Sequence, residues 1–136
     1  LLIDIKLLKK LYKRYQLGIV TGRPRKDAIK FLKRFNIYKY FDNLVCMEDA
    51  KSKPSPQPIY VAQKNFQYKY KKGIIMIGDT IDDIMSATRA GIKSVGIIPS
   101  NYKEFANMSI IFYKHGANLI LDNVNDVIAT YIETVI

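Results

Sequence analysis

Apolar and polar residues alternate along the chain in two ways, and each predicts a different kind of element. Between Leu1 and Tyr15, apolar residues recur every three or four positions with lysines between them, which predicts a helix with one buried face. Elsewhere, short apolar runs end at a turn residue or an acid, as is typical of strands covered on both faces. There are five such runs: LGIV at 17–20, NLVCM at 43–47, GIIMIGD at 73–79, KSVGII at 93–98 and ANLIL at 117–121.

Helical segments separate these runs. Pro24 suits the first turn of a helix, because its missing N–H needs no partner there, and Gly91 is a typical residue to end one. The predicted helices cover 24–35, about 58–65, 82–90, 101–115 and 123–135. Because strands alternate with helices, we predict an α/β fold with a doubly wound parallel sheet. In such sheets, ligands bind at the carboxyl ends of the strands.

Composition narrows the possible classes of protein. The chain has 136 residues, 49% of them hydrophobic, which is enough for one domain with a real core. Its net charge of +10 comes mainly from 17 lysines, with only 5 arginines, spread over most of the sequence. Arginine is the residue expected where phosphate backbones are bound, so this balance disfavours a nucleic-acid partner. No segment approaches the roughly 20 apolar residues of a membrane span.

Two features bear on the origin of the chain. Its one cysteine, Cys46, lies in an apolar run and has no internal partner, which fits a reducing compartment such as the cytoplasm. The opening LLIDIKLLKK has no methionine before it and is too short for the core of a signal peptide. We therefore expect that the natural beginning of the protein precedes this sequence.

Three chemically loaded turns follow strands and should open at one edge of the sheet. They are TGR at 21–23, KSKPSP at 51–56 and GDTIDD at 78–83. Asp79 ends a strand and Asp83 lies on the next helical turn, so both carboxylates can approach one point. Carboxylate oxygens near a phosphate suit Mg²⁺, which prefers hard oxygen ligands.

The other two turns could hold a phosphate. Thr21 and the N–H groups after it, including that of Gly22, can bind phosphate oxygens beside a helix start, and Lys53 would balance the negative charge. Each feature also has an ordinary structural interpretation. Thr21–Gly22 occurs in many turns, a lysine among prolines is often solvated, and acids are favoured at helix N-termini. The order of the three turns favours the functional interpretation.

Taken together, IVTGR, KPSP and GDTIDDIMSATRAG resemble the second, third and fourth motifs of the haloacid dehalogenase-like (HAD) hydrolases, in the family's order. The resemblance covers about residues 17–117 and is closest to the phosphoglycolate-phosphatase-like branch, which has a helical cap. It implies that Thr21 binds phosphate, that Lys53 steadies the nucleophile and the phosphate, and that Asp79 ligates Mg²⁺ directly. It further implies that Asp83 is the second acid of the metal site.

The resemblance also indicates which neighbouring residues are not expected to belong to the site. Asp82 falls at a position that varies in the family, so we do not expect it to be essential. Lys51 lies two residues too early, because the family's lysine immediately precedes proline. We favour a surface position for His115 and a solvated position for Arg23 and Arg25 over a contact with substrate.

The family's first motif, D-x-D-x-T, has no counterpart here. Asp4 is the only acid upstream of Thr21, but Lys6 stands where the second Asp should be, and we interpret Asp4 as a helix-surface residue. Without the first Asp, an aspartyl-phosphate cannot form. Residues 1–136 are therefore predicted to be the carboxyl-terminal part of a HAD-like core domain, without the central first strand and the cap.

The missing strand has a structural consequence. In the family it lies between the strand of IVTGR and the strand of IIMIGD, so its absence should leave unpaired backbone groups on both. We expect a missing amino-terminal segment, or another chain, to complete the sheet. Direct pairing of those two strands in a compact monomer would contradict this prediction.

The resemblance implies a Mg²⁺-dependent phosphomonoester hydrolase that acts on a small phosphorylated metabolite when intact, with this chain alone inactive. A dehalogenase is disfavoured, because it needs no metal and would not require both Asp79 and Asp83. A catalytically dead HAD-fold module with a binding or regulatory role is the main alternative, and a basic nucleic-acid-binding domain is a weaker one. The latter predicts an affinity that falls steeply with salt.

Overall fold

The computed structural model describes residues 3–66 and 73–127. Within them, helices and strands alternate as the sequence predicts. The helix predicted over 123–135 is described only at its start, and the rest of that prediction lies outside the described residues. The elements, in chain order, are α1 (Ile5–Arg14), β1 (Gly18–Val20), α2 (Arg25–Arg34), a 3₁₀ turn (Tyr38–Tyr40), β2 (Asn43–Val45), α3 (Gln57–Asn65), β3 (Ile75–Gly78), α4 (Ile81–Ala90), β4 (Lys93–Ile97), α5 (Phe105–Lys114), β5 (Leu119–Leu121) and a short α6 (Val124–Asp126).

Two helices begin later in the chain than the sequence predicts, because of local hydrogen bonds. Helix α1 begins at Ile5, because the Asp4 carboxylate accepts the Lys6 N–H at 2.7 Å and so caps the helix. Asp4 is exposed, as predicted, but it is the N-cap of α1 and not a residue within the helix. Helix α5 begins at Phe105 instead of residue 101, because the Tyr102 and Phe105 N–H groups close two preceding turns.

The strands form two parallel sheets. Strand β1 pairs with β2, Ile19 lying opposite Leu44, and a separate sheet has the order β3–β4–β5. Within the described residues, no strand pairing joins β1 to β3, so the direct pairing that would have contradicted the prediction is not observed. The parallel α/β class is confirmed, with the sheet divided where a central strand would lie.

Helices cover both faces of the three-stranded sheet. Alternate side chains of a strand point to opposite faces. Ile75 and Ile77 of β3 pack in a cluster with Leu11 of α1, whereas Met76 packs in another with Ile59 of α3 and residues of α4. Helix α1 also reaches the smaller sheet, since Leu8 packs in a third cluster that includes residues of β1, α2 and β2. Helix α1 therefore holds the two sheets side by side.

Burial differs sharply between neighbouring strands of similar composition. In β4, Ser94, Val95 and Gly96 are all buried, whereas every residue of β3 is only half-buried. The side of β3 away from β4 pairs with no strand among residues 3–66 and 73–127. No helix in those residues is long and apolar enough to cross a membrane.

Candidate active site

Lys53 lies where the two sheets approach each other. Its Nζ donates a hydrogen bond to Asp83 Oδ1 at 2.5 Å and another to the Val20 carbonyl at 3.3 Å. The Thr21 N–H donates to the Val45 carbonyl and so points toward β2. The Val20 carbonyl belongs to the same peptide group and points the opposite way, to the edge of β1 that β2 does not use. The ammonium group thus joins α4 to the edge of β1 that pairs with no other described strand.

Helix α4 holds the loop that carries Lys53. The Ser86 hydroxyl donates to the Ser55 carbonyl at 2.6 Å, and the Arg89 guanidinium donates to the Pro54 carbonyl at 3.2 Å. Lys51, two residues earlier, is exposed and lies outside this arrangement. Of these two lysines, the structure therefore brings only Lys53 to an acid of the 79–83 turn, which is Asp83.

Asp83 is fixed from several sides. It is 5% exposed, and with Thr80 it forms a reciprocal capping box at the start of α4. Its Oδ2 accepts the N–H groups of Asp79 and Thr80, both at 3.2 Å, while Oδ1 accepts Lys53. A Cβ at Gly78 would overlap the Asp83 side chain, so only glycine allows this approach. Both carboxylate oxygens of Asp83 are therefore in use.

Asp79 has different surroundings, although it belongs to the same turn. It follows the last residue of β3 and is exposed, and its carboxylate has no hydrogen-bond or ionic partner within the described part of the chain. It borders an open cleft of about 420 Å³ whose lining includes Ile98 and Tyr102. Asp82 is exposed on the first turn of α4, and its carboxylate has no hydrogen-bond or ionic partner among the described residues.

Thr21 and Gly22 form the turn on the other side of Lys53. The Thr21 N–H donates to the Val45 carbonyl at 2.9 Å, which places the residue directly after β1, and Thr21 Oγ1 accepts the Arg23 N–H at 3.1 Å. The Thr21 hydroxyl keeps its own hydrogen for donation. A small cavity of about 20 Å³ lies between this turn and Lys53. The space around Gly22 is open, since apart from its two chain neighbours no described residue lies within 4 Å of the position that a Cβ would take.

The acids alone do not make a closed metal site. Among the described residues, no group of three or more His, Cys, Asp or Glu side chains is placed to hold an ion. Their chemistry nevertheless fits Mg²⁺, which commonly takes one or two carboxylates and completes its shell with water and substrate phosphate. Asp79 offers such a carboxylate directly, whereas Asp83 is already bound to Lys53.

An ionic network that no sequence pattern predicts lies behind the Thr21 turn. The Arg25 guanidinium forms an ion pair with Asp49 and donates to the Leu44 carbonyl at 2.9 Å, so it is not simply solvated. Arg23 does lie at the surface, with its guanidinium 4.9 Å from the centre of the Phe31 ring. His115 is exposed at the end of α5, as predicted. Arg25 and Asp49 are far apart in sequence and follow no local pattern that could have linked them.

Comparison with known proteins places these motifs in a family. The profile of the haloacid dehalogenase-like hydrolases matches residues 5–97. An imidazoleglycerol-phosphate dehydratase of Phytophthora nicotianae is 40% identical over 99 residues, which are 71% of this chain and 22% of that protein. Pyrophosphatase PpaX of Halalkalibacterium halodurans is 37% identical over 81 residues, covering 59% of this chain and 37% of the relative. A phosphoglycolate phosphatase of Photorhabdus laumondii is 31% identical over 116 residues, or 84% of this chain and 47% of that protein.

Solved structures match the fold over nearly the whole chain. A hydrolase from Pseudomonas syringae has a TM-score of 0.79 at 23% identity, covering 97% of this chain and 59% of its own. The Bacillus subtilis protein YfnB, described as a HAD-hydrolase bound to magnesium, has a TM-score of 0.76 at 17% identity and covers 90% of this chain and 52% of its own. The chain thus spans little more than half of these structures and less than half of the curated relatives above. It belongs to the haloacid dehalogenase-like hydrolase family, in the phosphoglycolate-phosphatase-like branch.

Proposed function

We propose that this chain is the carboxyl-terminal part of the catalytic core of a Mg²⁺-dependent phosphomonoesterase that acts on a small phosphorylated metabolite. The observation that carries this proposal is Lys53, which contacts both the edge of β1 beside Thr21 and the buried carboxylate of Asp83. The names of the pyrophosphatase and phosphoglycolate phosphatase relatives support hydrolytic cleavage of a phosphate group.

The phosphate group would lie between the Thr21 turn and Lys53. The Thr21 hydroxyl can donate to a phosphate oxygen while its oxygen still accepts the Arg23 N–H. Gly22 is exposed and leaves the approach to its N–H open. Lys53 supplies a positive charge at a position fixed by Asp83 before substrate arrives, and such fixed charge is most effective in stabilising the charge of a transition state.

The metal would be held by the acids of the 79–83 turn. Asp79 would ligate the ion directly, because its carboxylate is exposed at the strand end. Asp83 would supply the second negative charge of the site and hold Lys53 in place, so that ion and ammonium both lie near it. Mg²⁺ bound here would neutralise phosphate charge and orient the ester. The magnesium in the YfnB crystal supports this choice of ion.

The attacking carboxylate would come from a strand between β1 and β3. Both strands leave an edge unpaired among the described residues, and β3 is half-buried despite its apolar sequence. An amino-terminal segment, or another chain, would complete the sheet and carry the aspartate that forms the aspartyl-phosphate. The 136-residue chain by itself is then expected to hydrolyse no ester.

The test is a phosphatase assay of the intact protein with p-nitrophenyl phosphate and small phosphomonoesters, with and without Mg²⁺. Asp79→Asn should lower kcat/KM on the order of a hundredfold, because it removes a ligand of the ion. Asp82→Asn is the matched control, since it removes an exposed acid from the same turn and should change little. Equal activity of the two variants would contradict the metal assignment, and Mg²⁺-independent turnover would contradict the function.

A further inference from the structure

The turn that follows β2 is tied to the start of α2 through Arg25. The guanidinium of Arg25 donates to the Leu44 carbonyl within β2 at 2.9 Å and forms an ion pair with Asp49 just beyond it. The Asp49 carboxylate also accepts the Cys46 N–H at 2.8 Å, which closes the turn on itself. A single side chain on α2 therefore holds both the end of β2 and the turn after it.

Backbone groups reinforce this tie. Pro24 provides no side-chain cap for α2, and the Glu48 carboxylate takes that role by accepting the Arg25 N–H at 2.9 and 3.1 Å. The Met47 N–H donates to the Arg23 carbonyl at 2.9 Å. The turn after β1 and the turn after β2 are thus joined by contacts in both directions.

Both Arg25 and Asp49 are charged near neutral pH. The backbone hydrogen bond from Cys46, with the nearby guanidinium, lowers the pKa of Asp49, and the hydrogen bond to Asp49 raises the pKa of Arg25. Both side chains are partly exposed, at 41% for Arg25 and 28% for Asp49, so the ion pair adds little to global stability. Its larger effect is expected on the relative position of the two turns.

That relative position matters because the two turns enclose the small cavity beside Lys53. Thr21 and Gly22 line it from the first turn, Met47 lines it from the second, and Lys53 closes it. Arg25 does not line the cavity. We propose that Arg25 is a positioning residue that sets the separation of the two turns and, through them, the width of the phosphate site.

This inference rests on the proposed phosphatase function. The first part of its test measures the contact between the two turns and does not depend on that function. Amide hydrogen exchange of the chain directly measures how firmly Arg25 holds the turn after β2. Arg25→Met should make the Met47 amide exchange faster, whereas Lys26→Met, which removes an exposed charge from the same helical turn, should not. Unchanged exchange at Met47 in Arg25→Met would overturn the proposal, whether or not the intact protein is a phosphatase.

The second part uses the intact protein with p-nitrophenyl phosphate as substrate and inorganic phosphate as competitive inhibitor. Arg25→Met should raise KM and the phosphate inhibition constant roughly tenfold with kcat nearly unchanged, because a displaced turn weakens binding of the phosphate group. Arg25→Lys should recover part of the loss, since one nitrogen makes both side-chain contacts of Arg25. Asp49→Asn is a second variant expected to act in the same direction. A fall in kcat alone, with KM and inhibition unchanged, would overturn the proposal.

Discussion

The turns that follow β1 and β3 lie on either side of Lys53, at strand edges that pair with no strand among the described residues, but they are built differently. The Thr21 turn is held by groups from elsewhere in the chain, chiefly Glu48 and Met47. The turn of residues 78–83 is held mostly by itself, through the capping box of Thr80 and Asp83 and the close fit of Gly78. One half of the site is therefore encoded locally, whereas the other depends on the assembled fold.

Removing Lys53 should have the largest effect on stability, because Lys53 contacts both halves. Lys53→Met would leave the Asp83 carboxylate buried without its ammonium partner, at a cost of about 3 kcal/mol of unfolding free energy. Urea unfolding of the chain measures this. Lys51→Met should cost less than about 0.5 kcal/mol, as an exposed position does. Equal losses for the two lysines would mean that the two halves do not depend on this contact.

Gly78→Ala should come next, since it disrupts the self-contained turn. The added Cβ would overlap Asp83, and relief of that overlap is expected to cost about 1–3 kcal/mol. Gly22→Ala is a matched control in the opposite turn, where a Cβ meets open space and should cost less than about 0.5 kcal/mol. The midpoint of thermal unfolding compares them. A larger loss at Gly22 would reverse the order of rigidity inferred for the two turns.

Acid should loosen the Thr21 half through Asp49. Because its folded pKa lies below the ordinary value of 3.8, the stabilisation by its carboxylate is fully present above that value and is lost as pH falls through the folded pKa. Asp122, whose pKa is lowered by the Ser100 N–H, contributes in the same pH range. Urea midpoints between pH 7 and about pH 3 should therefore fall less in Asp49→Asn than in the wild type. Exchange at Met47 separates the two acids, since only Asp49→Asn should speed it.

The smallest effect on stability is expected for Asp79→Asn. Its exposed carboxylate has no partner among residues 3–66 and 73–127, so the change should stay within about 0.5 kcal/mol. Thermal unfolding without Mg²⁺ tests this. A large loss of unfolding free energy would show that Asp79 has a structural role. The contrast between a fixed Asp83 carboxylate and an Asp79 carboxylate available to bind an ion would then not hold.

The contrast between the halves also explains what the sequence could predict. The strand, turn and helix around Gly78 and Asp83 were predictable, because glycine, a capping threonine and an acid at fixed spacing act within one turn. The grouping of Lys53 with these acids followed from strand order, since carboxyl ends of parallel strands share an edge. The assignments of phosphate and metal to these residues stay predictions.

Other features could not be predicted, because they depend on residues distant in sequence. The pair of Arg25 and Asp49 forms only when β1 and β2 are in register, and no local spacing signals it. The hydrogen bond from Lys53 to Asp83 Oδ1 likewise depends on a loop held by Ser86. The late start of α5 reflects turns at Tyr102 that compete with the helical pattern.

The contact of Lys53 with Val20 and Asp83 has a consequence for assembly. Strands pair at a spacing of about 4.8 Å, so an inserted strand needs two edges held about twice that distance apart. Here the Lys53 side chain joins the Val20 edge of β1 to the helix cap that follows β3, and helix α1 packs against both sheets. An entering segment would meet a preorganised slot, so most of the ordering entropy would fall on the segment and little on this chain.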